Sequence, residues 1–195
     1  RFNIPAGGIA ESNPEGQQPF LVPQHRMPTN YYYNSLNQVI KQSSPDGGTS
    51  EFWYDRLGRL AISQNEEQKS PTVVDLGTPA DRYSYTKYDE LSRITEVGEK
   101  LDADNVTESN ARNQTWLEAW LASGEDRNAT LTYYDEEPGG WLPSSLTGTL
   151  SNLRKRVVAT VLVYGSDPAN YRRAATSHSY NISGNVTTLT QENAA

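Results

Sequence analysis

Short runs of apolar and polar residues, separated by turn-forming residues, fill most of the chain. The stretch VIKQSSPDGGTSEFWY, residues 39–54, predicts two strands joined by the tetrapeptide PDGG at 45–48. Proline presets one dihedral, aspartate opens a turn and glycine permits positive φ, so this tetrapeptide predicts a turn. In the second run Phe52 and Tyr54 would share one face and Trp53 the other. We therefore expect this strand to be partly buried on both sides.

One segment has a helical pattern instead. Residues 108–126, ESNARNQTWLEAWLASGED, are rich in helix formers, and four large apolar side chains recur at helical spacing. These side chains are Trp116, Leu117, Trp120 and Leu121. The pattern predicts one amphipathic helix near 109–122, within an insertion of about 104–126.

The two ends of the chain differ in character. Residues 1–30 carry repeated prolines, which predict an irregular, extended segment. Residues 154–164, RKRVVATVLVY, predict a long strand, and residues 176–191, TSHSYNISGNVTTLTQ, predict a final hairpin. Because the chain begins without methionine or a signal-peptide pattern, we expect an internal piece of a larger protein.

A short repeat organises the β-rich part, residues 31–195. Four copies share a Tyr followed by Asp or Asn, a small or amide residue four positions after the Tyr, and then a polar and an aliphatic residue. The defining residues are Tyr33, Asn34, Asn37, Tyr54, Asp55, Gly58, Arg59, Tyr88, Asp89, Arg93, Tyr180, Asn181 and Gly184. A fifth copy begins at Tyr134-Asp135 and is interrupted by EEPGGW.

Each shared position of the repeat has a structural interpretation. Asp and Asn open turns with their own side chains, and the fourth position would be the left-handed residue of a hairpin loop. Ser92 fits that position least well. The Tyr and the aliphatic residue six positions later would face each other across the loop, a pair that contributes about 0.2–1 kcal/mol.

The pattern Y-[DN]-x-x-[GN]-[RQ]-[LVI] resembles the tyrosine-aspartate (YD) repeats of the Rhs family. That family includes bacterial polymorphic toxins, insecticidal toxin-complex components and animal teneurins, and the sequence is most similar to Rhs-repeat proteins of the Bacteroidota. The resemblance covers about residues 31–191 and is weakest over 100–149. It implies a mostly β fold in which hairpins wind into a curved spiral sheet, part of the wall of a hollow shell.

The resemblance also implies a role. In the toxin members the shell encloses a cargo, usually the C-terminal toxic domain of the same protein, so the expected partners are the rest of the shell and that cargo. Export machinery is a further expected partner, and the expected location is secreted or on a bacterial cell surface. Some members cleave themselves at a D-P-x-G motif, but Asp167-Pro168 lacks the glycine. Autoproteolysis is therefore not expected.

Composition narrows the function classes. The chain has 195 residues, a net charge of −7 and a pI near 4.9, which disfavours a nucleic-acid partner because phosphate binding needs a basic footprint. No run approaches the 18 or so apolar residues of a membrane helix, so no membrane insertion is expected. Twelve tyrosines and four tryptophans argue against disorder.

Few residues of the sequence could form a catalytic, metal-binding or cofactor-binding site. Asp55 with Arg59 could be an acid and its activator, but Asp89 with Arg93 repeats the pair, and repetition favours a turn-stabilising role. His25 and His178 are the only histidines and cysteine is absent, so neither a metal site nor a cofactor is expected. The chain lacks the G-x-S-x-G and phosphate-loop motifs. We therefore expect a non-enzymatic segment.

Other polar features of the sequence favour a solvent-exposed or structural role. The carboxylates around Asp102 and Asp104 lack the glycine and distal glutamate of a calcium loop, and the adjacent Arg172 and Arg173 fit a solvated strand end. Glycosylation sequons occur at Asn105, Asn113, Asn128, Asn181 and Asn185. The last two lie inside a repeat turn, where a structural role is expected.

One alternative function stays open: a cell-surface adhesion module that contacts a glycan or a partner protein through exposed aromatic residues. Trp53 is the side chain to examine, since burial of Trp53 and Trp116 would remove the main support for this alternative.

Overall fold

The structure is a computed structural model that describes residues 8–11, 20–23, 28–69, 81–102, 106–123, 125–136, 150–164 and 172–193. The protein is mostly β, with a small helical insertion. The strands are β1 (Gly8–Glu11), β2 (Phe20–Pro23), β3 (Asn30–Tyr33), β4 (Val39–Ser44), β5 (Gly48–Tyr54), β6 (Leu60–Gln64), β7 (Asp81–Tyr88), β8 (Ile94–Asp102), β9 (Glu125–Tyr134), β10 (Val157–Tyr164), β11 (Arg172–Tyr180) and β12 (Val186–Asn193). The helices are α1 (Glu108–Arg112) and α2 (Gln114–Ala122).

Ten of these strands form one antiparallel sheet in chain order, from β3 at one edge to β12 at the other. Each strand of this sheet therefore pairs with its neighbours in the sequence. The prediction of a mostly β chain with an inserted helix is confirmed. The expected strand at 154–164 begins at Val157, because residues 154–156 belong to the preceding turn.

The chain divides into two compact units. One comprises residues 1–52 with 64–70, and the other comprises 53–63 with 71–195. In the first unit β1 and β2 pair antiparallel, so these two short parts of the segment expected to be irregular and extended are paired strands. In the same unit the backbone amide of Thr49 donates to the Glu66 carboxylate at 2.8 Å, after the 45–47 turn.

The helical insertion differs from the prediction in one respect. Two helices replace the single helix expected near 109–122, because Asn113 has an extended backbone with φ −82° and ψ 108°. The Asn113 side chain accepts a hydrogen bond from the amide of Trp116 and so caps α2, while Thr107 caps α1 in the same way. Asparagine and threonine favour this position because their oxygens satisfy amides that lack a partner within the helix.

The main core of the second unit lies where α2 packs on the sheet. Its buried members are Ala61, Ile62, Tyr83, Tyr85, Val106, Leu117 and Trp120, with Trp53, Trp116 and Leu121 packed against them. The Tyr83 ring makes edge-to-face contacts with Trp53 and Trp120, at centroid distances of 6.2 and 5.7 Å. Such aromatic pairs add about 0.5–1.5 kcal/mol each beyond the area they bury.

A buried lysine fastens the end of α2 to the sheet. Lys100 in β8 is fully buried, and its ammonium donates to the carbonyls of Trp120 and Ser123. It also lies 4.5 Å from the centre of the Trp120 ring. A cation is favourable there because the last carbonyls of a helix lack intrahelical donors and carry partial negative charge.

Neither of the described helices is long and apolar enough to cross a membrane.

Candidate functional site

The turn at Asp55 uses every acceptor position of a carboxylate. Asp55 Oδ1 accepts from the amides of Leu57 at 2.9 Å and Arg59 at 2.8 Å. Its Oδ2 accepts from Arg59 Nε and lies close to Arg59 Nη2, both at 2.7 Å. The residue is only 4% exposed. The carboxylate therefore closes its own turn, and its acceptor positions are all occupied within that turn.

The same geometry recurs at other copies. Asp89 accepts from the amides of Leu91 and Arg93 and from Arg93 Nε, at 2.9, 2.8 and 2.6 Å. In the first unit an amide pair replaces the ion pair, since Asn34 Nδ2 donates to Gln38 Oε1 at 2.9 Å. At the last copy Asn181 Oδ1 accepts from the amide of Asn185, also at 2.9 Å.

The fourth position of each copy has a left-handed backbone. Its φ is 59° at Asn37, 78° at Gly58, 62° at Ser92 and 89° at Gly184. Ser92 therefore adopts the conformation that its side chain disfavours. Its hydroxyl accepts a hydrogen bond from Arg59 Nη1 at 3.1 Å, a contact between the turns of two successive copies.

The interrupted copy is completed by residues far along the chain. Tyr134 pairs with Val157, and the amide of Asp135 donates to the carbonyl of Arg156 at 3.2 Å. Lys155 has φ 61° and takes the left-handed position, and its amide donates to Asp135 Oδ1. The start of this copy is recognisable in the sequence, whereas its second half was not predicted. The signal was the order Lys155-Arg156-Val157, which matches the end of the repeat except for the missing glycine or asparagine.

Successive turns in the second unit are joined by tyrosine hydroxyls. Tyr88 donates to the carbonyl of Leu60 at 2.9 Å. Tyr134 donates to the carbonyl of Ile94 at 3.0 Å, and Tyr180 to that of Val157 at 2.7 Å. In each case the acceptor is the aliphatic residue of the preceding copy. The tyrosine of one copy thus holds the strand start of the copy before it.

Arginine side chains join the same copies in the opposite direction, because the arginine of one copy contacts the tyrosine ring of the following copy. The guanidinium carbons of Arg59, Arg93 and Arg156 lie 4.4, 4.2 and 5.3 Å from the ring centres of Tyr88, Tyr134 and Tyr180. Within that range the ring face attracts a cation. Together, the hydroxyl bonds and the arginine–ring contacts form the turn ladder, which runs through the copies at 54–60, 88–94, 134–157 and 180–186.

Arg93 occupies the most highly charged rung of the turn ladder. Its guanidinium contacts Asp89 at 2.6 Å and Asp135 at 2.7 Å. Burial would raise the pKa of Asp89, but hydrogen bonds from the Arg93 backbone and side chain outweigh it and hold that pKa below its usual value. The pKa of Asp135 is lowered by hydrogen bonds from the Arg93 side chain and the Lys155 amide. Neither carboxylate is tuned to exchange protons near neutral pH, as general acid–base catalysis requires.

Tyr88 is also held in its neutral form. Burial, followed by the nearby Asp55 carboxylate, raises the pKa of Tyr88, against the opposing effect of Arg59.

Within the described part of the chain, three or more His, Cys, Asp or Glu residues do not cluster in a way that could hold a metal ion. His178 stacks beside Tyr180 at a centroid distance of 6.4 Å, whereas His25 lies outside the described residues. The contacts of the turn ladder join each copy of the repeat to the next.

Two cavities of similar size lie beside neighbouring turns. We call them groove A, about 310 Å³, and groove B, about 320 Å³. Groove A is bordered by Asp55, Arg59, Ala61, Thr86, Lys87 and Tyr88, together with one side of α2. Groove B is bordered by Asp89, Arg93, Thr95, Glu96 and residues 131–134.

Several other predicted positions have a simple outcome. Trp53 and Trp116 pack against the core, which removes the support that the adhesion alternative drew from them. Asn113 is the cap of α2. Asp104, Asn105 and the Asp-Pro pair at 167–168 lie outside the described residues, and Arg172 and Arg173 begin β11.

Exposed aromatic and aliphatic residues remain at the two edge strands. Tyr31, Tyr32 and Tyr33 on β3 are each about half exposed, as are Val186 and Leu189 on β12. These residues were not singled out as exposed by the sequence analysis, because edge position depends on the whole sheet order.

No family model matches the chain. It is 25% identical over 166 residues to the tRNA3(Ser)-specific nuclease WapA of Bacillus spizizenii, an alignment that covers 82% of this chain and 7% of that protein. It is also 25% identical over 159 residues to the tRNA nuclease WapA of Bacillus subtilis strain 168, covering 78% of this chain and 6% of that protein. The chain thus spans less than a tenth of the length of these curated relatives.

Proposed function

We propose that this chain is a structural segment of an Rhs/YD-repeat shell, which encloses a cargo or toxin domain of a large exported or surface-attached bacterial protein. The segment has no chemistry of its own in this proposal. The observation that carries it is the turn ladder, because a repeated fastening between successive hairpins is what a continuous wall requires.

The state of the charged groups supports a role without catalysis. The Asp55 carboxylate is satisfied by its own turn, and Asp89 is satisfied in the same way. An active site is expected to hold a group whose protonation or nucleophilicity is free to change. Repetition of one arrangement at successive turns is the expectation for a wall and not for a single reaction centre.

The similar proteins are compatible with a wall region that is separate from a catalytic domain. Both are named tRNA nucleases, but the matched stretch makes up only 7% and 6% of their lengths. In our proposal this stretch corresponds to a non-catalytic wall region, and any toxic activity belongs to a separate domain. The acidic charge balance of the chain, −7, agrees with a segment that does not itself bind tRNA.

Two experiments test the proposal. The first incubates the chain with total tRNA and follows cleavage on a denaturing gel, and we expect intact tRNA. The second images the complete parent protein by cryo-electron microscopy, with the expected result of a closed shell whose wall contains this sheet and whose interior holds additional density. Cleavage of tRNA by the isolated chain, or a parent without an enclosed space, would refute the proposal.

A second candidate function is adhesion through β3. Its three half-exposed tyrosines are the only observation that favours it among the described aromatic residues. Binding of the chain to a glycan array, lost when Tyr31 and Tyr33 are both changed to Ser, would support this candidate. Unchanged binding of that double variant would exclude it.

A further inference from the structure

The hairpin tip between β4 and β5 carries the pair Asp46-Gly47. This is the one place in the sequence where an aspartate precedes a glycine, and no asparagine does so. Ser44 ends β4 and lies opposite Gly48, the first residue of β5, so residues 45–47 form the loop. All three loop residues are exposed. Water therefore reaches both the Asp46 carboxyl group and the peptide bond that follows it.

An aspartate that precedes a glycine can react with its own backbone. The Gly47 nitrogen attacks Asp46 Cγ and forms a nitrogen–carbon bond, and the protonated carboxyl group loses its hydroxyl, which leaves with the proton of the nitrogen as water. The product is a cyclic succinimide. Water then opens the ring at either carbonyl, which restores aspartate or gives isoaspartate, whose main chain runs through the side-chain carbons. Glycine favours the attack because it has no Cβ to crowd the nitrogen.

Two capping aspartates of the second unit are held away from this reaction. The carboxylates of Asp55 and Asp89 accept hydrogen bonds from amides and from an arginine of their own turns. The residues that follow them, Arg56 and Glu90, both carry side chains that crowd the attacking nitrogen. Within the described ranges, no hydrogen bond or ion pair holds the Asp46 carboxylate. The structure thus separates one aspartate that is free to cyclise from two that are held.

One contact of the folded turn opposes the reaction. The Gly47 amide donates a hydrogen bond to Ser44 Oγ at 3.1 Å. Because the nitrogen must give up that proton as it attacks, a hydrogen bond that holds the proton slows this step. The position of Ser44 at the end of β4 fixes the hydroxyl beside the amide. Ser44 is therefore a positioning residue that acts on the reaction through the Gly47 nitrogen.

We propose that Asp46 is a modification site at which isoaspartate forms spontaneously in the folded chain, with the Gly47 nitrogen as nucleophile and at a rate set by Ser44. The conversion adds a backbone atom to the tip of the hairpin. Gly48 has little room to follow, because a Cβ built there would lie 2.6 Å from two carbons of the Glu66 side chain. Isoaspartate therefore disturbs the pairing of β4 with β5. The inference is independent of the shell proposal, since it concerns the chemistry of one loop.

The test follows the folded full chain during prolonged incubation in neutral buffer at physiological temperature. Samples are treated with a protein-isoaspartate O-methyltransferase and radiolabelled S-adenosylmethionine, which together methylate the free α-carboxyl group of isoaspartate. Electron-transfer dissociation mass spectrometry then locates the modified residue. We expect the label to rise with time and to map to position 46. Asp46→Glu should remove it, because glutamate would have to close a larger ring that forms more slowly.

Two variants of Ser44 separate the effect of the hydroxyl from that of side-chain shape. Threonine and valine are both β-branched and nearly equal in size, and both suit a strand. Only Ser44→Thr keeps an acceptor for the Gly47 amide. We expect isoaspartate to form about two- to ten-fold faster in Ser44→Val than in Ser44→Thr. Circular dichroism checks that both variants are folded, and Ser44→Ala replaces Ser44→Val if the latter unfolds.

Three outcomes would overturn the proposal. The first is a folded chain without isoaspartate at position 46 after an incubation in which the urea-unfolded chain forms it. The second is a methyl label that persists unchanged in Asp46→Glu, which would place the reaction elsewhere in the chain. The third is an equal rate in Ser44→Thr and Ser44→Val, which would mean that the hydroxyl does not control the nitrogen.

Discussion

The capping role of Asp55 leads to a quantitative prediction for the variant Asp55→Ala. The substitution removes acceptors for the amides of Leu57 and Arg59 and leaves the Arg59 guanidinium without its ion-pair partner. Leu57 is 64% exposed, so water can replace the acceptor of its amide. Arg59 is less accessible, with 23% of its side chain exposed, and carries most of the loss.

The expected cost follows from these contacts. A partly buried amide without an acceptor costs about 1–3 kcal/mol, and removal of one partner of a buried ion pair costs up to about 3–5 kcal/mol. Because Arg59 is partly solvated, we expect Asp55→Ala to lower the free energy of unfolding by about 3 kcal/mol. Asp55→Asn keeps the Oδ1 acceptor and should lower it by only about 1 kcal/mol.

The first copy of the repeat supplies a control. Asn34 and Gln38 form an amide pair at 2.9 Å where the second copy has Asp55 and Arg59. The double variant Asp55→Asn with Arg59→Gln copies that pair. It should be more stable than Arg59→Gln alone, which strands a buried carboxylate, although both lose the arginine contact with the Tyr88 ring.

Urea unfolding of the dilute chain, followed by tryptophan fluorescence, measures these differences. With a urea dependence of about 2–3 kcal/mol per molar, Asp55→Ala should lower the midpoint by about 1–1.5 M. A midpoint within about 0.2 M of the wild type would refute the capping argument. The same conclusion would follow if the double variant were less stable than Arg59→Gln.

The other predictions test separate features. Tyr88→Phe leaves the carbonyl of Leu60 without its donor and should lower the free energy of unfolding by about 1 kcal/mol. Gly98→Ala would place a methyl group 2.7 Å from the Tyr85 hydroxyl oxygen and 2.8 Å from its ring, and should cost about 1–3 kcal/mol by the same measurement. The lowered pKa of Asp89 contributes stability above the ordinary carboxyl pKa of about 4, so the urea midpoint should fall as the pH is lowered through and below that value. The open edges of β3 and β12 should make the isolated chain associate as its concentration rises, as measured by sedimentation velocity.

Each of these tests has its own control or contrary outcome. Tyr31→Phe changes a half-exposed ring at the sheet edge and should leave the midpoint unchanged. Gly47→Ala meets only the Ser44 hydroxyl, at 3.0 Å, and should be tolerated better than Gly98→Ala. An acid dependence that survives in Asp89→Asn unchanged would assign it to other carboxylates. A chain that stays monomeric at high concentration and melts cooperatively would contradict the edge argument.

The sequence predicted the hairpin positions because each repeat carries its own local signal. An Asx side chain and a left-handed position act within five residues, so Tyr54 to Leu60 can be interpreted without knowing the rest of the sheet. Three of the expected tyrosine–aliphatic pairs are present in the register, Tyr33 with Val39, Tyr88 with Ile94 and Tyr180 with Val186.

The turn ladder could not be predicted in this way, because its contacts join distant residues. The Tyr88 hydroxyl and its acceptor are 28 positions apart, and those of Tyr134 are 40 apart. The burial of Lys100 was missed for the same reason, since its partners lie at the end of α2. The break at Asn113 did have a local signal, the preference of asparagine for a helix cap, but the continuous tryptophan–leucine stripe outweighed it.

The interrupted turn has a consequence for how such proteins can change over time. Three residues separate Asp55 from Arg59, whereas twenty, residues 136–155, separate Asp135 from Arg156. The backbone bond between Asp135 and Arg156 still forms, and Tyr134 still lies opposite Val157. This hairpin keeps its closing hydrogen bond although twenty residues lie between the two bonded positions, so the loop is a site that tolerates insertions. New sequence, even a small domain, can enter there while the strands on either side keep their alignment.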